Sequence, residues 1–283
     1  MDERDLGARL QAARQKAGLT QQALCQRADL SYSTLTKIER GAIKSPSIFT
    51  IQRIAEAVGT NLDELLGSLK AKTPAAKPKK RAKSGVRFVY FDINGCLVRF
   101  FHGAFTRIAA DTGASVDFVE QTFWHFNDQA CRGELTLEEF DHKLAKAFGV
   151  EDVDWMTYYL EAVEPIPAVG ELVRWAAEHY RVGLLSNILP GIIDALRARE
   201  LLPDVAYDVI IDSSQLGVIK PEAKIYEIAT QEAHCSASDI LFIDDSRANL
   251  MAAEKMGWHV LWFDDYRPDE SVDRVRAALE FEG

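Results

Sequence analysis

ILFIDDSRANLMAAEKMGW, residues 240–258, is the stretch that decides how most of this chain folds. It opens with a short apolar run, ILFID (240–244), and passes into a helical stretch at 247–256. A run of that length bounded by polar residues reads as a strand buried on both faces. Working outward, four more runs share the pattern: VRFVYF (86–91), RVGLLS (181–186), DVIID (208–212) and HVLWF (259–263). Helical stretches at 167–179, 190–200 and 222–232 separate them. Strands alternating with helices predict a parallel sheet covered on both faces. Residues from about 100 to 165 show helical patterns without a convincing strand, and read as a helical insertion after the first strand.

Polar groups stand at the ends of these strands. FDINGCLV (91–98) places Asp92 just after the first. LLSN (184–187) places Ser186 and Asn187 after the second. GVIKPEAKIY (217–226) places Lys220 before a helix, and FIDDSRANL (242–250) places Asp244 and Asp245 after a later strand. In an open parallel sheet the carboxyl ends of neighbouring strands share one crevice, so groups distant in sequence can converge. Carboxylates brought together repel unless a cation joins them, and an all-oxygen donor set favours magnesium. A carboxylate can attack phosphorus to give an aspartyl phosphate, while a lysine and hydroxyl or backbone donors stabilise charge on the transferring oxygens.

The ordered set, and above all SSQLGVIKPEAKIYEIA (213–229) and ILFIDDSRANLMAAEKMGW, resembles the haloacid dehalogenase superfamily over residues 86–268. The resemblance implies a Rossmann-like α/β domain with an inserted α-helical cap that closes over the site. It implies Asp92 as nucleophile and magnesium ligand, Ser186 and Asn187 holding the phosphoryl group, Lys220 bridging nucleophile and phosphate, and Asp244 and Asp245 as further metal ligands. One position departs from the family pattern. Family phosphatases usually carry a general acid–base aspartate two residues after the nucleophile, where this chain has Asn94. A carboxamide donates and accepts hydrogen bonds but exchanges no proton at neutral pH, and losing such a group costs on the order of 10²- to 10⁴-fold in rate. Asn94 can still offer its backbone carbonyl to magnesium. A dehalogenase is the less expected activity, because those relatives usually place an aromatic residue there. In the cap, the aromatics of FWHF (123–126) and WMTYYL (155–160) are expected chiefly to pack helices together. Arg132 and His125 become substrate contacts only if they face the sheet, and His102 and His234 read as surface residues.

Ahead of residue 68 every segment is helical. Leu6, Leu10 and Ala13 recur at helix spacing before Gly18. Thr20 and Ser31 can cap a second and a third helix, the latter holding Leu35 and Ile38 and ending at Gly41. Ser47 opens a fourth helix with Ile51, Ile54 and Val58, and Leu62, Leu65 and Leu66 suggest a fifth. LTQQALCQRADLSYSTLTKIERG (19–41) with SPSIFTIQRIAEAVGTNLDELL (45–66) resembles the Cro/repressor (XRE) family, an all-α helix-turn-helix domain that lays its third helix in the major groove. By that resemblance Tyr32, Ser33 and Lys37 hold base-contacting positions, and Gln21 a phosphate-contacting one. Thr36 joins the exposed positions of the third helix. Arg40 and Lys44 are the further candidate phosphate partners. A homodimer on paired half-sites is the family's expectation.

Charge divides the chain the same way. Residues 1–85 hold 16 Lys/Arg against 8 Asp/Glu, and residues 86–283 hold 17 against 35. A basic head on an acidic body points to a polyanion partner, double-stranded DNA, for the head alone. Residues 68–85, SLKAKTPAAKPKKRAKSG, carry seven Lys/Arg and no acid, and are expected to form a disordered basic linker between a head at 1–67 and a hydrolase domain at 86–283. The four cysteines lack CxxC spacing, no apolar run reaches bilayer length, and the charged N-terminus is no secretory signal. A cytoplasmic protein with reduced thiols and no membrane partner is expected. Two functions follow: a magnesium-dependent phosphatase for a small phosphorylated metabolite, or a transcription regulator whose weakened hydrolase domain senses such a ligand.

Overall fold

The computed structural model describes residues 5–28, 30–41, 43, 46, 48–59 and 79–281, and the chain divides into two compact units, 1–77 and 78–283. In the first unit, α1 (Asp5–Lys16), α2 (Gln21–Arg27), α3 (Tyr32–Glu39) and α4 (Ile48–Val58) follow in order. Thr20 caps α2 by accepting from the Ala23 amide at 3.2 Å, and Ser31 caps α3 by accepting from the Thr34 amide at 3.1 Å. Leu10, Leu24, Leu35, Ile38, Ile51 and Ile54 fill its core. Ser47, Lys44 and the fifth helix expected around Leu62, Leu65 and Leu66 lie outside the described residues.

The second unit is built on five parallel strands: β1 (Phe88–Phe91), β2 (Arg181–Ser186), β3 (Val209–Asp212), β4 (Ile240–Asp244) and β5 (His259–Trp262), ordered β3-β2-β1-β4-β5. Alternate side chains divide between the faces. Val89, Phe91, Leu184 and Ile243 enter the larger core, while Phe88, Tyr90, Leu185 and Phe242 enter the smaller one. This period of two in an unbroken apolar run gives a sheet buried on both sides. The register pairs Phe91 with Leu184 and with Ile243, so the residues just beyond β1, β2 and β4 meet at one edge.

Helices α5 (His102–Thr112), α6 (Val116–Cys131), α7 (Leu137–Phe148) and α8 (Trp155–Ala162) form the segment between β1 and α9 (Pro167–His179). Phe101, Phe105, Phe123, Phe140, Trp155 and Tyr159 knit them together, with the Phe123 and Trp155 ring centroids 4.4 Å apart. After β2 come α10 (Ile192–Ala198), α11 (Ser213–Leu216), α12 (Ala223–Ala233), α13 (Arg247–Lys255) and α14 (Pro268–Ala278). Strand β3 starts one residue later than its apolar run, because the Asp208 carboxylate turns back to accept from the Val182 amide at 3.1 Å.

The expected linker is corrected over its second half. Residues 79–85 pack on the hydrolase unit: the Ala82 amide donates to Val86 at 2.8 Å and the Lys83 amide to Glu280 at 2.8 Å. Ala82 is buried, and the Lys80 ammonium lies 3.3 Å from the Phe281 ring centre. A charged segment docks here through its backbone and its one small apolar residue, which composition does not reveal. Residues 68–78 lie outside the described residues.

Candidate active site

Four loops at the carboxyl edge of the sheet deliver the polar groups to one place. Asp92 is the first residue past β1, and its amide donates to the Ile243 carbonyl at 3.0 Å, which ties the start of this loop to β4. One oxygen of Asp92 lies 2.9 Å from the Lys220 ammonium and accepts from the Ser186 hydroxyl at 2.7 Å. Lys220 also donates to Asp244 at 2.7 Å and to the Leu185 carbonyl at 3.0 Å. Asp244, with no exposed surface, further accepts from the Ser246 amide at 2.7 Å and the Asn249 carboxamide at 3.1 Å. One carboxylate oxygen each from Asp92, Asp244 and Asp245 lie within 4.8 Å of one another.

Electrostatics follow from this crowding. Burial pushes the Asp92 carboxyl above the ordinary carboxylate range, an effect that Lys220 partly offsets. Asp245 is pushed up to about 7, by burial first and then by Asp92 and Asp244. Burial alone would lower the Lys220 ammonium, but Asp244 and Asp92 outweigh it and its pKa rises. Three acids against one ammonium leave the cluster short of positive charge. An all-oxygen donor set of this kind fits a hard divalent cation such as magnesium.

Two positions carry detail the sequence did not. The Asn187 carboxamide donates to the Lys220 carbonyl at 2.8 Å and accepts from its amide at 2.7 Å, so it holds the lysine's backbone in place. Asn94 stands two residues beyond Asp92, and its side-chain oxygen accepts from the buried Tyr159 hydroxyl of α8 at 2.6 Å. Tyr159 was one aromatic among several in the cap, and no local signal marks it. Asn249 had a weak signal, as a polar residue on the apolar side of α13 beside Leu250 and Ala253. Of the cap candidates, Arg132 pairs with Glu222, His125 is exposed against Phe126, and neither lines the cleft. The cleft above Asp92 has a volume of about 290 Å³.

On the first unit Tyr32, Ser33, Lys37 and Arg40 are exposed on or beside α3, while Thr36 is half-buried and its hydroxyl donates to the Tyr32 carbonyl at 2.8 Å. Leu35 and Ile38 face the core. Gln21 sits between two partners: its amide donates to Glu39 at 2.7 Å and its oxygen accepts from the Tyr32 hydroxyl at 2.9 Å. Glu39 in turn takes the Arg14 guanidinium at 2.7 and 3.1 Å. This buried pair went unread in the sequence, although Arg14 follows Leu10 by one helical turn.

A parallel five-stranded sheet with acids and a lysine at its carboxyl edge, in one chain with a small helical unit that has an exposed third helix, defines a hydrolase fold joined to a nucleic-acid-binding fold. Comparison with known proteins agrees. A family model described as haloacid dehalogenase-like hydrolase matches residues 86–257, and one described as helix-turn-helix matches residues 10–65. The chain belongs to the haloacid dehalogenase-like hydrolase family, with an N-terminal XRE-type helix-turn-helix domain. Acyl-CoA dehydrogenase family member 10 of Mus musculus is 27% identical over 158 residues, 53% of this chain and 14% of that protein. (S)-2-haloacid dehalogenase of Pseudomonas sp. (strain YL) is 28% identical over 109 residues, 35% of this chain and 47% of that one. The chain thus spans less than half the length of either relative. A family enzyme from Bacteroides thetaiotaomicron, solved as a magnesium complex, superposes with a TM-score of 0.55 at 20% identity, covering 64% of this chain and 94% of that one. Among the described residues no helix is long and apolar enough to cross a membrane, and the four cysteines are free.

Proposed function

We propose that the second unit is a magnesium-dependent phosphatase acting on a small phosphorylated metabolite through an aspartyl phosphate on Asp92. The convergence of Asp92, Asp244 and Asp245 within 4.8 Å, with Lys220 bound to two of them, carries the reading. Asp92, Asp244 and Asp245, with the Asn94 backbone carbonyl, would hold magnesium, whose bound charge screens the nucleophile from the incoming phosphate. The magnesium complex of the Bacteroides enzyme supports the choice of ion. The Asp92 oxygen attacks phosphorus while Lys220 neutralises charge on the transferring oxygens. Ser186, now donating to Asp92, is within reach to turn its hydroxyl to the phosphoryl group, and Asn187 keeps Lys220 in position. Asn94 hydrogen-bonds without exchanging a proton, so turnover is slow.

A panel of phosphate esters with magnesium tests this. Turnover abolished by Asp92→Asn, and raised about 10²- to 10⁴-fold by Asn94→Asp, is the expected pair of results. A 2-haloacid in the same panel should release no halide. If no ester reacts in wild type or in Asn94→Asp, and magnesium with inorganic phosphate does not bind, the reading is wrong.

The first unit binds double-stranded DNA with α3 in the major groove, where Tyr32, Ser33 and Lys37 would face bases and Gln21, Arg40 and Lys44 phosphates. Thr36, half-buried and bonded to the backbone, has less freedom to reach a base. Selection from random duplexes should yield a site with paired half-sites, bound by a homodimer. Lys37→Ala should weaken binding to the selected duplex at least about tenfold. Asn94 in place of an acid–base aspartate, in a chain that also carries a helix-turn-helix match, favours a second reading, in which a phosphorylated ligand bound at the slow site alters DNA affinity. Operator affinity unchanged by magnesium with bound phosphate would exclude that coupling.

A further inference from the structure

The cleft above Asp92 has a chemical character that the phosphatase reading leaves unused. Its walls away from the carboxylates include Phe100, Trp124, Trp155, Tyr159, Leu189 and Ile192. Among the described residues that line it, Lys220 is the one cation, and in the phosphatase reading it is assigned to the reacting phosphate. No positive side chain is left to pair with a carboxylate or a second phosphate on a substrate's distal end, and Asp128 at the rim would repel one. Trp124 is the unusual member of the wall. Phe101, Phe123, Trp155 and Tyr159 of the same lining are buried, yet Trp124 is 44% exposed. It stacks beside Phe100 with centroids 6.2 Å apart, and its indole N–H is held by Glu120 at 3.2 Å. A fixed, part-open aromatic surface at a cleft mouth suits a planar ring.

Asn94 adds a constraint on the bond that breaks. With its oxygen engaged by Tyr159, what the carboxamide has left to give a bound ester is its amide nitrogen, a hydrogen-bond donor with no proton to transfer. The Tyr159 hydrogen is committed to Asn94. A leaving oxygen at this position can be hydrogen-bonded but not protonated, so it must depart as an anion. Alkoxides do this poorly. Phenoxides do it readily, because the ring delocalises the charge.

We propose that this cleft takes phosphate monoesters of uncharged aromatic alcohols, with the phosphate on Asp92 and Lys220 and the ring against Trp124 and Phe100; the proposal rests on the phosphatase reading above. The Asp92 oxygen forms a bond to phosphorus as the phosphorus–aryl oxygen bond breaks, and the electron pair leaves with the aryl oxide. Water then attacks the phosphorus of the aspartyl phosphate, restoring the Asp92 carboxylate and releasing phosphate. The proton shed by that water is taken up, through solvent, by the aryl oxide. The sum is aryl phosphate plus water giving a phenol and inorganic phosphate. The cleft's volume of about 290 Å³ is at the small end for a ligand pocket, which matches a single ring rather than a nucleotide.

The test compares kcat/KM for phenyl phosphate, substituted phenyl phosphates, glycerol phosphate and phosphoglycolate with magnesium, on the full chain. Phenyl phosphate should exceed the two aliphatic esters by at least about 100-fold, and rates should rise steeply as the phenol becomes more acidic. In Asn94→Asp the slope against phenol acidity should flatten and the gap should narrow. In Trp124→Ala the aryl preference should fall. Glycerol phosphate turned over as well as phenyl phosphate by the wild type would overturn the proposal and leave the phosphatase reading intact. Should no ester react, calorimetry decides. Phenylphosphonate with magnesium binding at least about tenfold tighter than inorganic phosphate, with the advantage lost in Trp124→Ala, supports aryl recognition, and equal binding refutes it. If neither anion binds, the phosphatase reading fails and this one with it.

Discussion

Gly95 shows how narrowly single residues set this site. It turns the chain directly after Asn94 with φ +75°, and a Cβ there would lie 2.3 Å from an Asp245 carboxylate oxygen. Gly95→Ala therefore pushes Asp245 off the acidic cluster while leaving both cores untouched. Magnesium affinity should fall about 10- to 100-fold, the scale on which disturbing the support of a metal ligand acts, with an unchanged circular dichroism spectrum. Protonation bears on the same atoms. Asp245 is pushed up to about 7, so with no metal bound it carries its proton below that pH and is ionised above it. Magnesium must displace that proton, so its affinity should drop about tenfold per unit as pH falls below about 7. Calorimetry in two buffers of different ionisation enthalpy should register the released proton, and a flat affinity between about pH 8 and about pH 6 would contradict the placement of Asp245. The sign differs from that of an ordinary salt-bridged acid: a raised carboxyl pKa favours the metal-free fold at low pH and is lost as a contribution when pH rises through 7. Asp92, Ser186, Asp244 and Asp245 could be picked out in the chain because each ends or follows an apolar strand, and Lys220 because it stands before a helix in a stretch that resembles the family. Tyr159 could not, since a buried tyrosine that supplies one hydrogen bond has the same sequence surroundings as one that only packs.

Among elements, the strands were the most legible, because residues buried on both faces leave an unbroken apolar run. Their ends were less so: β1 begins two residues after its run, at the point where the sheet pairings start. The cap helices were visible as helices, but their mutual packing was not, since Phe123, Phe140 and Trp155 meet only across α6, α7 and α8. One local signal there was available and unread. Thr136 and Glu139 form a reciprocal cap at the start of α7: the Thr136 hydroxyl accepts from the Glu139 amide at 3.1 Å, and the Glu139 carboxylate accepts from the Thr136 amide at 2.8 Å. A threonine followed three residues later by glutamate before an apolar stretch is the sequence form of this arrangement. Thr136→Ala should cost about 1 kcal/mol in denaturant unfolding of the hydrolase unit. Because α7 contributes no side chain to the cleft, kcat/KM at a temperature where the protein stays folded should be unaltered. A fall in activity without a fall in stability would mean that α7 acts on the site directly.

At the scale of the whole molecule, the two units keep separate cores: Leu10, Leu24, Leu35, Ile38, Ile51 and Ile54 make one, and the sheet's two faces supply the others. The first core is small, and small cores leave little stability in reserve. The buried pair between Arg14 and Glu39, with side chains 10% and 3% exposed, joins α1 to α3 and orients Gln21 beside Tyr32. Removing Arg14 leaves the buried Glu39 charge with the Gln21 amide as its remaining side-chain partner, a loss of up to about 3–5 kcal/mol, which is comparable with the whole stability of a small domain. Arg14→Ala should therefore unfold the first unit and abolish binding to a selected duplex. The acidic unit, with its own core, should keep its magnesium affinity and its thermal transition. Scanning calorimetry with magnesium titration of the full chain reads both at once. Loss of the lower-enthalpy transition alone is the expected outcome, and a parallel loss of magnesium binding would show that the hydrolase unit depends on the helical one for its fold.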